Sequence, residues 1–225
     1  MKLPALMHSL QPLGLHQGQG LSPSRMTAMI RRALGSQIIL KTRRAATVDP
    51  DTIVIGGCYD SEADQQGWPA IELTLNYHPA QETILLDAED WHRTCLAIAE
   101  CIGHEQVHRE QYRGRGWLDN PHSYHSTSKD PALRDEQEYL GDPDELEAYG
   151  YSIAAELAEM HGVFDVDHPA LDQVFMYRVY LETFDTDKSV VLKLRQYISK
   201  YLRRLEVDYN EKTNPRSNPR TRRRA

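Results

Sequence analysis

The sequence is poor in cysteine and has no long apolar run. No stretch approaches the roughly 18 apolar residues that a membrane-spanning helix requires, so we expect no membrane contact. The three cysteines, Cys58, Cys95 and Cys101, are too few and odd in number for a disulfide framework, and they favour a reducing compartment. The first residues are also too polar for a typical secretory signal. Together these absences predict a cytoplasmic protein.

Acidic side chains are absent from residues 212–225, although the whole chain of 225 residues has a net charge of -7. This tail holds one Lys and five Arg, which leaves 20 basic and 33 acidic residues, a net charge of -13, in the body of the chain. Because the tail has almost no apolar residue, we predict that it is disordered. Three alternatives remain for its partner: the tail binds nucleic-acid phosphates, it binds an acidic protein surface, or it has no specific partner. Its cations are Lys212, Arg216, Arg220, Arg222, Arg223 and Arg224.

Hydrophobic periodicity predicts one helix, several strands and then further helices, which is typical of an α+β protein and not of an alternating α/β protein. The first helix begins at Pro23 after the capping residue Ser22 and ends at Gly35. The predicted strands are Gln37–Thr42, Thr52–Ile55, Ile71–Tyr77 and Thr83–Asp87. The later predicted helices are Ala88–Arg113, Pro143–His161, Pro169–Thr183 and Lys188–Glu206.

The predicted organisation is an N-terminal extension (1–21), one domain (22–211) and the basic tail (212–225). Within the domain, residues 22–116 hold a small antiparallel or mixed sheet packed on helix Ala88–Arg113. Residues 117–141 form a long loop, and residues 142–211 form a helical lobe. Strand Ile71–Tyr77 alternates apolar and polar residues, as half-buried strands do. We predict that this strand is either an exposed edge that pairs with an extended peptide or an ordinary internal strand.

The segment ECIGHEQVHREQY places His104 and His108 four residues apart in helix Ala88–Arg113. Side chains at this spacing lie nearly above one another, so both imidazoles can bind one zinc ion. Glu105 lies about 100° further round the helix, where it can act as general base on a metal-activated water without ligating the ion. The spacing is therefore one that zinc-dependent hydrolysis can use.

Chance offers another explanation, since a chain with ten histidines can contain this spacing at a solvated helix end without any metal. The context favours a metal site, because the helix has an apolar stripe and the two histidines lie beside it. The stripe comprises Trp91, Cys95, Ile98 and Ile102. Cys101 lies one turn before His104, but its spacing fits no cysteine-based zinc motif, so we predict a packing role for it.

A third ligand is predicted in DPDELEAYGYSIAAEL, where a helix face can pack closely on another helix and direct Glu145 at the ion. The small residues on that face are Ala148, Ser152 and Ala155. Asp142 and Glu145 also fit a capping box, which would occupy the same carboxylate. The alternative third ligands are Glu147, His122 and His125.

These two segments resemble the signature of the glutamate-zincin metallopeptidases, HExxH on one helix and ExxA on a later one, here His104–His108 and Glu145–Ala148. The chain is also similar to small metallopeptidases of tailed bacteriophages. In those, a Tyr-Arg pair and a Pro-x-Glu-x-Glu-Ala segment follow the HExxH, matched here by Tyr112-Arg113 and Pro143–Ala148. The resemblance covers Ile71–Leu157 and implies a zincin-like fold, a bound Zn²⁺, peptidase activity and a location in host cytoplasm or virion.

The chain departs from related patterns at two places. Tyr149 stands where relatives often have Asp or Asn, so no supporting hydrogen bond is implied from that position. The metzincin continuation is absent, because Gln111 and Gly114 replace its Gly and His.

Three functions are compatible with these features. The first is a zinc metallopeptidase, in which a side chain would also stabilise the developing oxyanion. The candidates for that role are Tyr124, His125 and Tyr149. The second is a virion or complex component that keeps the fold as a structural or binding module, and the third is a nucleic-acid-associated protein tethered by its tail. Glu105 favours the first, because a purely structural zinc ion needs no base beside its ligands.

Overall fold

A computed structural model describes residues 2–16 and 20–213. Within them the protein is α+β and mostly helical, with a three-stranded mixed sheet. The helices are α1 (Leu3–Leu10), α2 (Pro23–Leu34), α3 (Ser61–Gln65), α4 (Ala88–Gly114), α5 (Pro131–Gly141), α6 (Pro143–His161), α7 (Phe175–Thr183) and α8 (Lys188–Thr213). Short 3₁₀ helices cover Gln11–His16, Gly35–Gln37 and Pro169–Gln173. No described helix combines the length and apolarity that a membrane crossing needs.

The chain divides into two compact units. The first unit comprises Ala5–His122 and contains the sheet with α2, α3 and α4. The second unit comprises Lys2–Pro4 and the chain from Ser123 onward, and it contains α5, α6, α7 and α8. The two histidines of the HEQVH motif therefore belong to the first unit, and Glu145 belongs to the second.

The sheet consists of β1 (Ile38–Arg44), β2 (Ile53–Tyr59) and β3 (Ile71–Tyr77) in the order β1-β3-β2. Strand β3 is parallel to β1 and antiparallel to β2. It is therefore an internal strand, and the alternative that it is an exposed edge for a peptide is wrong. On the predicted buried face of β3, three apolar residues are buried: Ile71, Leu73 and Leu75.

Helix α4 carries the HEQVH motif and packs against β2 and β3. It begins after Asp87, whose carboxylate accepts a hydrogen bond from Asp90 N at 2.8 Å. Its predicted apolar stripe is buried, comprising Trp91, Cys95, Ile98 and Ile102. Burying one large apolar side chain contributes roughly 1.5–3 kcal/mol, so this stripe is a major attachment of α4 within the first unit.

Helix α6 packs along α8 in the second unit. A Cβ added to Gly150 would lie 2.5 Å from Tyr197 Cβ, so glycine permits the close approach of the two helices. The predicted bounds of α6 are confirmed at both ends: Pro143 follows the capping residue Asp142, and Gly162 ends the helix in the left-handed conformation (φ 64°).

Residues 117–141 are not one long loop, because Pro131–Gly141 form α5. Asp130 caps this helix by accepting a hydrogen bond from Ala132 N at 3.0 Å. Its buried face includes the polar Gln137, whose Nε2 donates to Thr183 O at 2.7 Å. A helix anchored by polar contacts has a weak hydrophobic period, which explains why the sequence pattern missed α5.

Two other predicted elements differ from the structure. Thr83–Asp87 is not a strand, because only Ile84 pairs, in an isolated bridge with Leu21. The helix predicted over Pro169–Thr183 is interrupted at Val174, whose extended backbone (φ -68°, ψ 123°) separates a 3₁₀ helix from α7.

The chain ends also differ from prediction. The proposed N-terminal extension contains α1, with Leu3, Leu6, Met7 and Leu10 buried. Helix α8 continues past the predicted end at Glu206 to Thr213, and so includes the first two residues of the predicted tail. The remaining tail residues, 214–225, lie outside the described part of the chain, so their predicted disorder and partners stay predictions.

Asp64 on α3 joins three elements of the first unit through a side chain that is fully buried. Arg109 donates to it from Nε at 2.9 Å and from Nη2 at 2.5 Å, and Arg113 donates from Nε and Nη2, each at 3.0 Å. Tyr59 Oη, at the end of β2, donates at 3.0 Å. Burial opposes ionisation of Asp64, but the hydrogen bonds from Arg109 and Arg113 outweigh it, so the pKa of the carboxyl lies below its usual value.

The lowered pKa of Asp64 predicts how the stability of the first unit depends on pH. A carboxyl whose pKa is depressed by folding contributes stability above its unfolded pKa of about 3.9, and that contribution is lost as the pH falls through the folded pKa. Asp64→Asn should therefore lower the free energy of unfolding at pH 7 by on the order of 1–3 kcal/mol, with a smaller difference at pH 3.

Tryptophan fluorescence during urea unfolding measures this effect, because Trp68, Trp91 and Trp117 all lie in the first unit. Glu89→Gln is the control, since the Glu89–Arg93 pair on α4 is exposed on both sides and such pairs contribute little. The prediction would be contradicted if the free energy of unfolding of the wild type exceeded that of Asp64→Asn by the same amount at pH 7 and at pH 3.

Candidate metal centre

Helix α4 brings the imidazoles of His104 and His108 together. Their Nε2 atoms lie 3.2 Å apart, and the ring centroids are 4.9 Å apart with an interplanar angle of 73°. Two zinc–nitrogen bonds of 2.0–2.1 Å at a tetrahedral angle would separate the nitrogens by about 3.4 Å. The spacing of the two Nε2 atoms therefore fits the two histidine positions of a tetrahedral zinc site, as the HEQVH spacing predicts.

Gln111 determines which nitrogen of His108 carries the proton. Its Oε1 atom lies 3.0 Å from His108 Nδ1, and because a carbonyl oxygen only accepts, Nδ1 must be the donor. A neutral His108 ring then has its lone pair on Nε2, the atom that faces His104. Metal-binding histidines commonly donate their other ring N–H in this way. The i, i+3 spacing from His108 is the sequence signal that could have identified Gln111.

Glu105 is buried, with 8% of the residue exposed, and its carboxylate lies beside β2. A Cβ added to Gly57 would be 2.6 Å from Glu105 Oε1 and 2.6 Å from Cys101 Sγ. Glycine at position 57 therefore leaves the space that the Glu105 carboxylate occupies between α4 and the sheet. The sequence pattern did not identify Gly57, because this contact joins residues that are far apart in the chain.

Cys101 lies next to this carboxylate and remains a thiol. Burial, and after it the negative charges of Glu105 and Glu100, raise the pKa of the Cys101 thiol to about 12. Zinc binds cysteine as the thiolate. A half-buried, protonated Cys101 agrees with the predicted packing role.

Glu145 is half-buried in the first turn of α6. Asp142 caps this helix: its carboxylate accepts from Asp144 N at 2.9 Å, and its backbone N donates to Tyr139 O at 3.2 Å. Asp142 N is therefore engaged with a backbone carbonyl, whereas the capping-box interpretation assigns this N–H to the Glu145 carboxylate. The charge of Glu145 contributes to raising the pKa of Tyr180, after burial and the charge of Tyr149.

Glu147, two residues further along α6, has a different environment. Its Oε1 atom accepts hydrogen bonds from Lys200 Nζ and, at 3.2 Å, from Tyr201 Oη. Both donors are on α8, so this carboxylate ties α6 to α8 within the second unit. This structural role argues against Glu147 as the alternative third ligand.

The remaining candidate residues lie in the second unit, except His122. His122 and His125 are exposed, and His125 Nε2 lies 3.4 Å from Ser123 Oγ. Tyr124 Oη donates to Asp187 at 3.0 Å, which gives that tyrosine a structural partner next to the start of α8. Tyr149 is half-buried, with its Oη 3.4 Å from Tyr139 Oη.

The close contact at Gly57 predicts that even a methyl group there disturbs the site. Gly57→Ala should displace the Glu105 carboxylate or β2 and lower the free energy of unfolding by about 1–3 kcal/mol, the usual cost of overpacking. The neighbouring Gly56→Ala is a matched control, because its added Cβ meets no atom within 4 Å. Equal unfolding midpoints of the two variants, followed by tryptophan fluorescence, would show that the contact is not restrictive.

No protein-family model, no curated protein and no solved structure matches this chain. The similarity to glutamate-zincins and to phage metallopeptidases therefore stays a prediction from the motifs.

Proposed function

We propose that this protein is a zinc-dependent metallopeptidase in which His104, His108 and Glu145 hold the ion. Two imidazoles and one carboxylate are a donor set that can hold a divalent metal, and they are the ligands of many catalytic zinc sites. The observation that carries the proposal is the 3.2 Å separation of the two Nε2 atoms, together with the hydrogen bond that places the His108 proton on Nδ1. The proposal includes a zincin-like fold, supported by the small mixed sheet packed on α4.

The bound zinc ion would supply Lewis acidity, which lowers the pKa of a water molecule and polarises the peptide carbonyl. Glu105 is the general base in this proposal. A carboxylate oxygen of Glu105 takes one proton from the attacking water while the water oxygen bonds to the carbonyl carbon. The protonated Glu105 then gives that proton to the leaving amine nitrogen as the C–N bond breaks.

Burial of Glu105 supports this role, because a base that exchanges one proton with the substrate is most effective away from bulk water. A structural zinc module would have no use for a buried acid at this position. A test of Glu105 therefore distinguishes the peptidase function from the alternative, a purely structural or binding function. Tyr149 and His125 remain predicted oxyanion-stabilising residues.

Glu105→Gln should retain the fold and the zinc ion but lower the turnover of a casein-like substrate by roughly 10²–10⁴-fold, because the general base is lost. His104→Ala and His108→Ala should each lose the metal, as measured by metal analysis of the purified protein. Glu89→Gln on the same helix is the control for surface charge. Unchanged casein digestion by Glu105→Gln would rule out the assigned mechanism. Wild-type protein that holds zinc but never cleaves peptides would favour the structural module.

The two carboxylates of α6 give a matched test of the third ligand. Glu145→Ala should weaken zinc binding by more than the roughly 100-fold that loss of a supporting hydrogen bond causes. Glu147→Ala should leave zinc affinity within about twofold of the wild type and reduce stability instead, because it removes the bonds from Lys200 and Tyr201. Competition with a zinc chelator measures the affinity. The opposite pattern would transfer the ligand role to Glu147.

A further inference from the structure

The Asp64 network lies on the same helix as the metal-binding histidines. Arg109 directly follows His108 in the chain, and Arg113 lies one turn further along α4. Both guanidinium groups contact Asp64 through two nitrogens each, at 2.5–3.0 Å. The hydrogen bonds of Asp64 thus concentrate on the part of α4 immediately after the HEQVH motif.

We propose that Asp64 is a positioning residue that fixes the rotation of α4 and so orients His108 toward the metal. This inference rests on the proposed zinc site. Paired hydrogen bonds from a planar guanidinium constrain direction as well as distance. Consecutive helical residues differ by about 100° in rotation and 1.5 Å in rise, so fixing Arg109 also fixes the backbone of His108.

Tyr59 relates the network to the sheet. Its hydroxyl donates to the same Asp64 oxygen that accepts from Arg109 Nε and Arg113 Nε. Tyr59 is the last residue of β2, the strand that also carries Gly57 beside Glu105. The buried anion and the Gly57 contact therefore hold α4 against β2 at two points, one beside the base and one beside the second histidine.

The charges of the network are matched to this role. Two guanidinium groups next to one another repel, and the Asp64 carboxylate forms an ion pair with both of them. Arg113 also lies with its Cζ 5.8 Å from the centre of the Trp117 ring. Without the negative charge, the arginines would separate toward solvent, and α4 would lose its rotational restraint after His108.

The test measures the zinc affinity of the full chain by chelator competition, at a temperature where fluorescence shows each variant to be folded. Asp64→Asn should weaken zinc binding about 10–100-fold, the range for residues that orient metal ligands. Asp64→Glu keeps the charge and should recover part of the loss, and Glu89→Gln should stay within about twofold of the wild type. Arg113→Lys, which keeps the charge but loses the two-nitrogen contact, should also weaken binding and replaces Asp64→Asn if that variant does not fold.

The outcomes separate this inference from the proposed function. Wild-type protein that does not bind zinc would end both proposals. Zinc binding that is lost in His108→Ala but unchanged in folded Asp64→Asn or Arg113→Lys would overturn the positioning role alone. A fall in zinc affinity without a rescue by Asp64→Glu would assign the effect to lost packing and would also overturn it.

Discussion

The close packing of α4 on β2 is the constraint on which the first unit's candidate site depends. Gly57 lets the helix approach so closely that an added Cβ would touch Glu105 Oε1 and Cys101 Sγ. Protein interiors tolerate little overlap, so such a contact fixes the helix within a few tenths of an ångström. The same approach buries Glu105 and leaves His104 and His108, on a neighbouring face of α4, only partly covered. One packing contact thus gives Glu105 a buried environment and leaves the two imidazoles partly exposed.

Within α4, different forces fix different parts of the helix. The N-terminal half is held by apolar side chains such as Trp91 and Ile98, which are nearly inaccessible to water. The part that follows His108 is held by a buried carboxylate with arginine partners. Apolar burial is non-directional, whereas paired hydrogen bonds to Asp64 specify an orientation. The directional contact with Asp64 therefore lies next to His108, whose ring nitrogen needs a defined orientation in the proposed metal site.

The sequence predicted those features that have a local cause. The spacing of His104 and His108, the apolar stripe of α4 and the caps of α6 all depend on residues within a few turns, and the structure has them where the pattern indicated. Helix α5 was missed because Gln137, a polar residue, supports its buried face. Gly57 and Asp64 could not be assigned, because their roles arise from contacts with α4 at separations of about 40 residues or more that no periodicity reports.

The protonation state of Cys101 helps to distinguish a catalytic role of the proposed zinc ion from a structural one. Structural sites are closed, commonly by several thiolates, whereas catalytic sites have three protein ligands and an open position. Cys101, one turn before His104, is held as a thiol by burial and by the charge of Glu105. The proposed donor set would then carry a single negative charge, from Glu145, and a bound divalent ion would leave one net positive charge at the proposed site. In the proposed mechanism, that excess would stabilise the negative oxygen that develops as water attacks a peptide carbonyl, a charge that a structural zinc site does not encounter.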